Sequence, residues 1–178
     1  MPMEATAGHA RRATGVPPVR VLEGQVGSDA AAHAVRAYLS ELSDRLDIDP
    51  SFADAADPAE VTPPRGDFML LSEVGTGAVV GFGAVHVLEP GVVEIRRMWL
   101  KPDVRGHGLG KFLLGSLENR ARSLGGRRVL LGVNASLVEA CGLYRSSGYE
   151  PVEPYEDNPY VTHVFGKVLV ESHPGAST

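Results

Sequence analysis

Apolar positions along the chain change period several times, and each change marks an element. Val35, Leu39, Leu42 and Leu46 follow helical spacing. Ser28 or Asp29 stands where a cap is needed, so a helix is predicted from Ser28 to about Leu46. The runs "DFMLLSEV" and "AVVGFGAVHVL" read as strands joined through Gly75-Thr76-Gly77, a hairpin signal, and "EPGV" turns the chain into "VVEIRRMWLKP". Leu109, Phe112, Leu113, Leu117, Ala121 and Leu124 then line one helical face, ended by Gly125-Gly126. "RRVLLGV" is a strand, "SLVEACGLYRSSG" a short helix capped by Ser136 and closed by Gly148, and "YVTHVFGKVLV" a last strand. "VRVLEG" is the first strand, and the acidic, proline-bearing stretch from Pro50 to Gly66 is a loop with a helical turn. Residues 1–18 and 171–178 are expected as flexible tails around one domain at 19–170, with no internal repeat.

One strand breaks its own alternation. Val93 and Ile95 share one phase of a period-two pattern; Met98 and Leu100 share the other. The slip across Arg96-Arg97 predicts a bulge, the alternative being a half-buried strand of irregular pattern.

Between that strand and the next helix lies "VRGHGLGK", with glycine at 106, 108 and 110. Glycines before a helix let the backbone turn tightly and bring unpaired N–H groups against an anion. Arg105 and Lys111 add formal charge, so the run reads as a phosphate or diphosphate cradle, the alternative being a glycine-rich turn with no ligand. A Walker A loop fails because Arg105 and Phe112 stand where glycine and Ser/Thr are required, and a dinucleotide fingerprint fails at Lys111. Charge sharpens the picture. The 178 residues carry a net −5, which argues against general nucleic-acid binding. Yet residues 96–128 hold nine Lys/Arg against Asp103 and Glu118, and the glycine run lies inside this basic block. Such a block is either a solvated helix face or a local anion site.

The stretch "EIRRMWLKPDVRGHGLGKFLLGSLENRARSLG" resembles the acetyl-CoA-binding core of the GNAT (GCN5-related) N-acetyltransferase superfamily, with Arg105, Gly108 and Gly110 in the Arg/Gln-x-x-Gly-x-Gly/Ala positions. "EACGLYRSSGYEPV" resembles the second block of that superfamily through Ala140, Leu143, Tyr144, Gly148 and Tyr149. Together the blocks cover about residues 68 to 170, and the ending "YEDNPYVTHVFGKVL" is similar to a small bacterial single-domain subgroup. The resemblance implies an α/β (α+β) fold with a mixed, mostly antiparallel sheet flanked by helices, its fourth and fifth strands splayed to open a slot. It implies acetyl-CoA as co-substrate, held by Met98, Trp99, Leu100, Arg105, Gly106, His107, Gly108, Leu109, Gly110, Lys111 and Tyr144. It implies Tyr144 as the acid that protonates the leaving thiolate, and Glu94 as a base acting through water. A core aromatic and a solvent-facing strand residue are the alternatives for those two. Many members carry an asparagine three residues before the alanine of the second block; here that position is Leu137, and Asn134 either takes over its contact or helps to cap the next helix.

The implied reaction is direct attack of a primary amine on the acetyl group in a ternary complex. The alternative is a non-catalytic acyl-CoA-binding regulatory domain. His107 lies in the loop, while His86 and His163 sit in strands as structural residues or substrate contacts. No pair of histidines has metal-ligand spacing, so no metal is expected. Cys141, the one cysteine, reads as a small buried thiol, and a reducing cytoplasm is the default compartment. Neither nucleic acid nor membrane is expected as a partner, and homodimerisation is common in the superfamily. Acceptor choice falls to "YLSELSDRLDIDPSFADAADPAE" and "PYEDNPYVTH", where Asp47, Asp49, Asp54 and Asp57 either attract a cationic amine or form a solvated loop. The acceptor stays open among amino acids, polyamines, antibiotics and protein lysines.

Overall fold

The computed structural model describes residues 11–13, 16–49 and 57–169. Strands β1 (Arg11–Ala13) and β2 (Val16–Leu22) lead to α1 (Asp29–Leu46), a single helical turn at Pro58–Val61, and the hairpin of β3 (Gly66–Glu73) and β4 (Val79–Glu89). Then come β5 (Val92–Leu100), a turn at Pro102–Val104, α2 (Leu109–Ser123), β6 (Arg128–Val133), α3 (Val138–Ser146), β7 (Glu150–Pro151) and β8 (His163–Val168). They form one sheet in the order β1-β2-β3-β4-β5-β6-β8-β7. Every neighbouring pair is antiparallel except β5 and β6. The expected mixed, mostly antiparallel sheet flanked by helices is therefore present, with two short strands that the sequence did not signal.

Some expectations move. Of the expected tail at residues 1–18, Arg11–Ala13 lies in a strand paired with β2, which begins at Val16, and Val19 is wholly buried opposite Glu73; residues 1–10 lie outside the described residues. The expected 171–178 tail lies outside the described residues. Ser28 caps α1 by accepting from Ala31 N at 3.0 Å. Ser136 does not cap α3: Leu137 holds the cap position, and the Ser136 N–H is already given to Asn134 Oδ1 at 3.0 Å.

Each sheet face has its own core. On one face, Ala31 and Ala34 of α1 pack on Phe68, Phe82, Ala84 and Trp99. On the other, Leu113, Leu117 and Ala121 of α2 and Cys141 and Tyr144 of α3 pack on Val85, Val93, Ile95, Leu131 and Phe165. Gly83 lets α2 lie close, since a Cβ there would meet Leu117 Cδ1 at 2.6 Å. Glu118 ties the layers: its buried carboxylate accepts from the Tyr149 hydroxyl at 2.9 Å and from Lys167 Nζ at 3.0 and 3.2 Å. All its partners are charged or hydroxyl donors, as a buried carboxylate requires.

Candidate active site

The bulge is where the sequence places it. Gly83 pairs with Met98 and Ala84 with Arg96, so Arg97 is the extra residue, held at φ 54°. Such a bulge bends the strand and raises its twist. Past it, β5 and β6 part company. Their pairing covers only Val92–Arg128, Val93–Val129 and Glu94–Leu130, although β5 runs on to Leu100 and β6 to Val133.

The parting exposes main chain. Lys101 N donates to Val80 O at 2.8 Å, and Trp99 pairs with Phe82. Because antiparallel partners alternate along a strand, Trp99 and Lys101 turn their N–H and C=O groups toward β4. Met98 and Leu100 turn theirs the opposite way, into the gap. The Leu100 carbonyl is already taken, accepting from Arg105 Nε at 3.0 Å and Nη2 at 2.7 Å. The Met98 main chain and the Leu100 N–H are left facing the slot.

A cavity of about 440 Å³ occupies the gap. Residues from both sheet faces line it: Tyr144 and Ala140 of α3 from one side, Glu94 and Arg96 from the other, with Met98 and Asn134 between. Tyr144 is 7 % exposed, packed among Tyr149 and Phe165 with ring centroids 5.9 and 6.2 Å away. Burial drives its hydroxyl well above the ordinary phenol value, so it stays protonated. This tyrosine is a core aromatic that also borders the cavity.

Glu94 is not the solvent-facing residue of the alternative reading. It is 3 % exposed and accepts from Arg96 Nε at 2.5 Å, and its charge, after burial, holds the Tyr155 hydroxyl above the ordinary phenol value. Arg96 is gripped a second time by Glu60. Directly across from Glu94 on β4 sits His86, whose buried Nδ1 has no hydrogen-bond partner among the described residues. Its imidazole titrates below the usual histidine value, chiefly because burial penalises the cation and secondarily because Arg96 is near. The Glu60, His86 and Tyr155 contacts escaped the sequence reading. The cross-strand register that sets His86 opposite Glu94 was not readable from either strand alone.

The glycine run divides its labour. Gly106 and Gly108 both adopt φ +81°, a left-handed conformation that favours glycine, and Gly108 is the N-cap of α2 without any side-chain cap bond. Gly110 has a different reason, since a Cβ there would meet Leu143 Cδ2 at 3.2 Å. The first N–H groups of α2, from Leu109, Gly110 and Lys111, have no partner four residues back. His107 and Lys111 are exposed beside them, while the Leu109 side chain is buried.

Three candidates sit differently from expectation. The Arg105 guanidinium turns away from the helix N-terminus to Glu41 of α1, 2.8 Å from each carboxylate oxygen. Trp99 points its indole to the α1 face, 6.0 Å from Phe82, because neighbouring strand residues face opposite ways. Asn134 lines the cavity, yet both its amide atoms are engaged: Oδ1 with Ser136 N and Nδ2 with Tyr160 O at 3.0 Å. Among the acidic loop residues, Asp57 caps the turn at Pro58–Val61 through Ala59 N, Asp47 closes α1 at φ 51°, and Asp54 lies outside the described residues. His163 is exposed, its Nδ1 3.0 Å from Thr162 Oγ1. Among the described residues no group of three or more His, Cys, Asp and Glu is placed to hold a metal, and no helix is long and apolar enough to cross a membrane.

Comparison with known proteins agrees with this architecture. The family model for the acetyltransferase (GNAT) family matches residues 29–149. An uncharacterized N-acetyltransferase of Schizosaccharomyces pombe is 30% identical over 132 residues, covering 74% of this chain and 81% of that protein. The fold is shared with a GNAT-family acetyltransferase of Staphylococcus aureus (TM-score 0.72, 14% identity, 85% of this chain and 99% of that one). It is shared also with a GNAT acetyltransferase of Elizabethkingia anophelis crystallised with acetyl-CoA bound (TM-score 0.60, 13% identity, 85% and 98%).

Proposed function

The chain belongs to the acetyltransferase (GNAT) family, and from that premise we propose that it moves an acetyl group from acetyl-CoA to a primary amine by direct attack, with both substrates in the cavity between β5 and β6. The observation that carries this reading is the bulge at Arg97 together with the end of β5–β6 pairing at Glu94–Leu130, which turns the Met98 main chain and the Leu100 N–H toward the cavity. An amide-bearing pantetheine arm needs such strand-edge partners. The diphosphate belongs at the N–H groups of Leu109, Gly110 and Lys111, with His107 and Lys111 beside it. A main-chain N–H at Met98 or Leu100 polarises the thioester carbonyl as charge builds on its oxygen.

The amine arrives mostly as an ammonium ion and must lose a proton before its lone pair attacks the acetyl carbon. Glu94 supplies a buried carboxylate toward which that proton moves, through water, while Arg96 holds the carboxylate in place. The N–C bond forms, the C–S bond breaks, and its electron pair leaves on sulfur. Tyr144 sits with its hydroxyl protonated and buried beside the cavity. Since that hydroxyl is a weaker acid than a thiol of pKa about 8.5, complete transfer to the thiolate is uphill. The Tyr144 contribution is therefore a hydrogen bond that strengthens as charge develops on sulfur.

Initial rates of thiol release, measured across a matrix of acetyl-CoA and amine concentrations, test the reading. Intersecting double-reciprocal lines are expected. Parallel lines would mean a covalent enzyme intermediate, and tight acetyl-CoA binding without thiol release from any amine would leave the non-catalytic alternative.

A further inference from the structure

A buried carboxylate that takes a proton must give up what already holds it. Glu94 is 3 % exposed, and its Oε1 accepts from Arg96 Nε at 2.5 Å, with Arg96 gripped in turn by Glu60. A proton on Glu94 would end that charge-assisted bond. His86, opposite Glu94 on β4, offers no outlet: it does not line the cavity, and burial and Arg96 keep its imidazole a poor proton acceptor.

The cavity has a second carboxylate. Glu156 lies in the stretch between β7 and β8, whose far end is tied to the end of β6: Thr162 N donates to Val133 O at 3.1 Å and Asn134 Nδ2 to Tyr160 O at 3.0 Å. The stretch so held puts Glu156 in the same lining as Glu94. Unlike Glu94, Glu156 is exposed, and it accepts no hydrogen bond from a described residue. Among the described residues, the other titratable side chains of the lining are Tyr38, Tyr144, Tyr155 and Tyr160, with Arg96 and Arg97. Phenols and guanidinium groups carry their protons at neutral pH, so only the two carboxylates can receive one. Neighbouring carboxylates repel, which makes one of them easier to protonate. Glu156 is that one: its carboxyl titrates above the usual value, through burial first and the Glu94 charge second, with Arg96 opposing.

We propose that the proton drawn from the ammonium toward Glu94 comes to rest on Glu156, a further catalytic residue, while Glu94 stays ionised against Arg96. This rests on the transferase reading above. The amine nitrogen keeps the electron pair of the N–H bond for attack on the acetyl carbon, a Glu156 carboxylate oxygen gains the proton, and the exposed side chain passes it to water. Glu94 is then a positioning residue, whose charge keeps Glu156 basic.

The test is the pH profile of kcat/KM from about pH 5 to about pH 9 in the thiol-release assay. The natural protein is compared with Glu156→Gln, Glu156→Asp and Glu94→Gln, the acetyl-CoA dissociation constant of each reporting that it has folded. The natural protein should show a plateau above the limb set by its base. Glu156→Gln should lower kcat about 10²-fold at neutral pH and turn the plateau into a rise proportional to hydroxide, because only amine already neutral in solution then reacts. A weakly basic amine should suffer much less from the same substitution. Glu156→Asp should restore a plateau. Glu94→Gln should keep a plateau that begins at lower pH, since the charge that raises Glu156 is gone. A plateau kept by Glu156→Gln and lost in Glu94→Gln, or a raised KM for the amine as the sole effect of Glu156→Gln, overturns this inference and leaves the transferase reading intact. Absence of thiol release from every amine, with acetyl-CoA still bound, overturns both.

Discussion

Arg105 Nη2 lies 2.8 Å from both carboxylate oxygens of Glu41, and the same guanidinium donates to the Leu100 carbonyl. One side chain thereby joins the glycine loop, the end of β5 and the middle of α1. Arg45, one turn along α1, pairs with Glu139 of α3. The glycine loop is held in place from the side opposite any anion it receives. Glu41→Gln should raise the KM for acetyl-CoA a few-fold with little change in kcat, since a partly exposed pair contributes about 0.2–1 kcal/mol. Repeating the measurement in 0.5 M salt should shrink the difference, because screening weakens the pair in the unsubstituted protein too.

Gly108→Val places a β-branched side chain at φ +81° on the N-cap of α2. Left-handed backbone costs a residue with a Cβ about 1–2 kcal/mol, more for a branched one. The fold should survive that, but the N–H groups after it should lose their aim. Calorimetric titration should find acetyl-CoA binding at least tenfold weaker; unchanged affinity would mean that this backbone does not cradle the diphosphate.

Tyr144→Phe removes one hydroxyl and keeps a ring already packed against Tyr149 and Phe165. A hydrogen bond to a charged group is worth about 1.5–3 kcal/mol, so kcat should fall about 10- to 100-fold while the acetyl-CoA dissociation constant holds. A fall of 10³ or more would instead indicate full proton transfer from this residue, and no fall would make it structural.

His86 gives a signature in stability rather than rate. Burial and Arg96 lower its titration, Arg65 adds to that, and Glu60 and Glu94 oppose it. Above pH ~6.5 the imidazole is neutral in both folded and unfolded chains and contributes no pH slope. As pH drops below that value the unfolded chain takes up the proton first, so stability falls until the lower folded value is passed. Comparing Tm at pH 8 and pH 5.5, His86→Gln should lose less on acidification than the unsubstituted protein. Equal losses would show that carboxylates alone set the acid limb.

Much of this was legible in the residues. The phase slip across Arg96-Arg97 announced the bulge, because alternation is a property of a single strand. Helix α1 could be bounded from Ser28 and its leucines for the same local reason. Partners far apart in the chain were not legible: 64 residues separate Arg105 from Glu41, and a positive charge beside glycines reads equally as a phosphate ligand or a clamp. Periodicity showed that α1 has an apolar face, but not that its first half packs on the sheet while Leu39, Leu42 and Leu46 border the cavity. Strands β1 and β7, of 3 and 2 residues, are too short to carry any period at all.

The gap between β5 and β6 has a further consequence, for how such a chain can diverge. Its inner edge is main chain at Met98 and Leu100, and a peptide group is the same whatever side chain is attached. If that edge holds acetyl-CoA as proposed, substitutions there can accumulate without erasing the recognition, provided the bulge and the loop glycines remain. The rest of the lining, from α1 and from the stretch bearing Tyr155 and Tyr160, is side chain, where a substitution changes the surface. On the proposed reading, selection can exchange one acceptor for another at those side-chain positions while the main-chain edge is inherited unchanged.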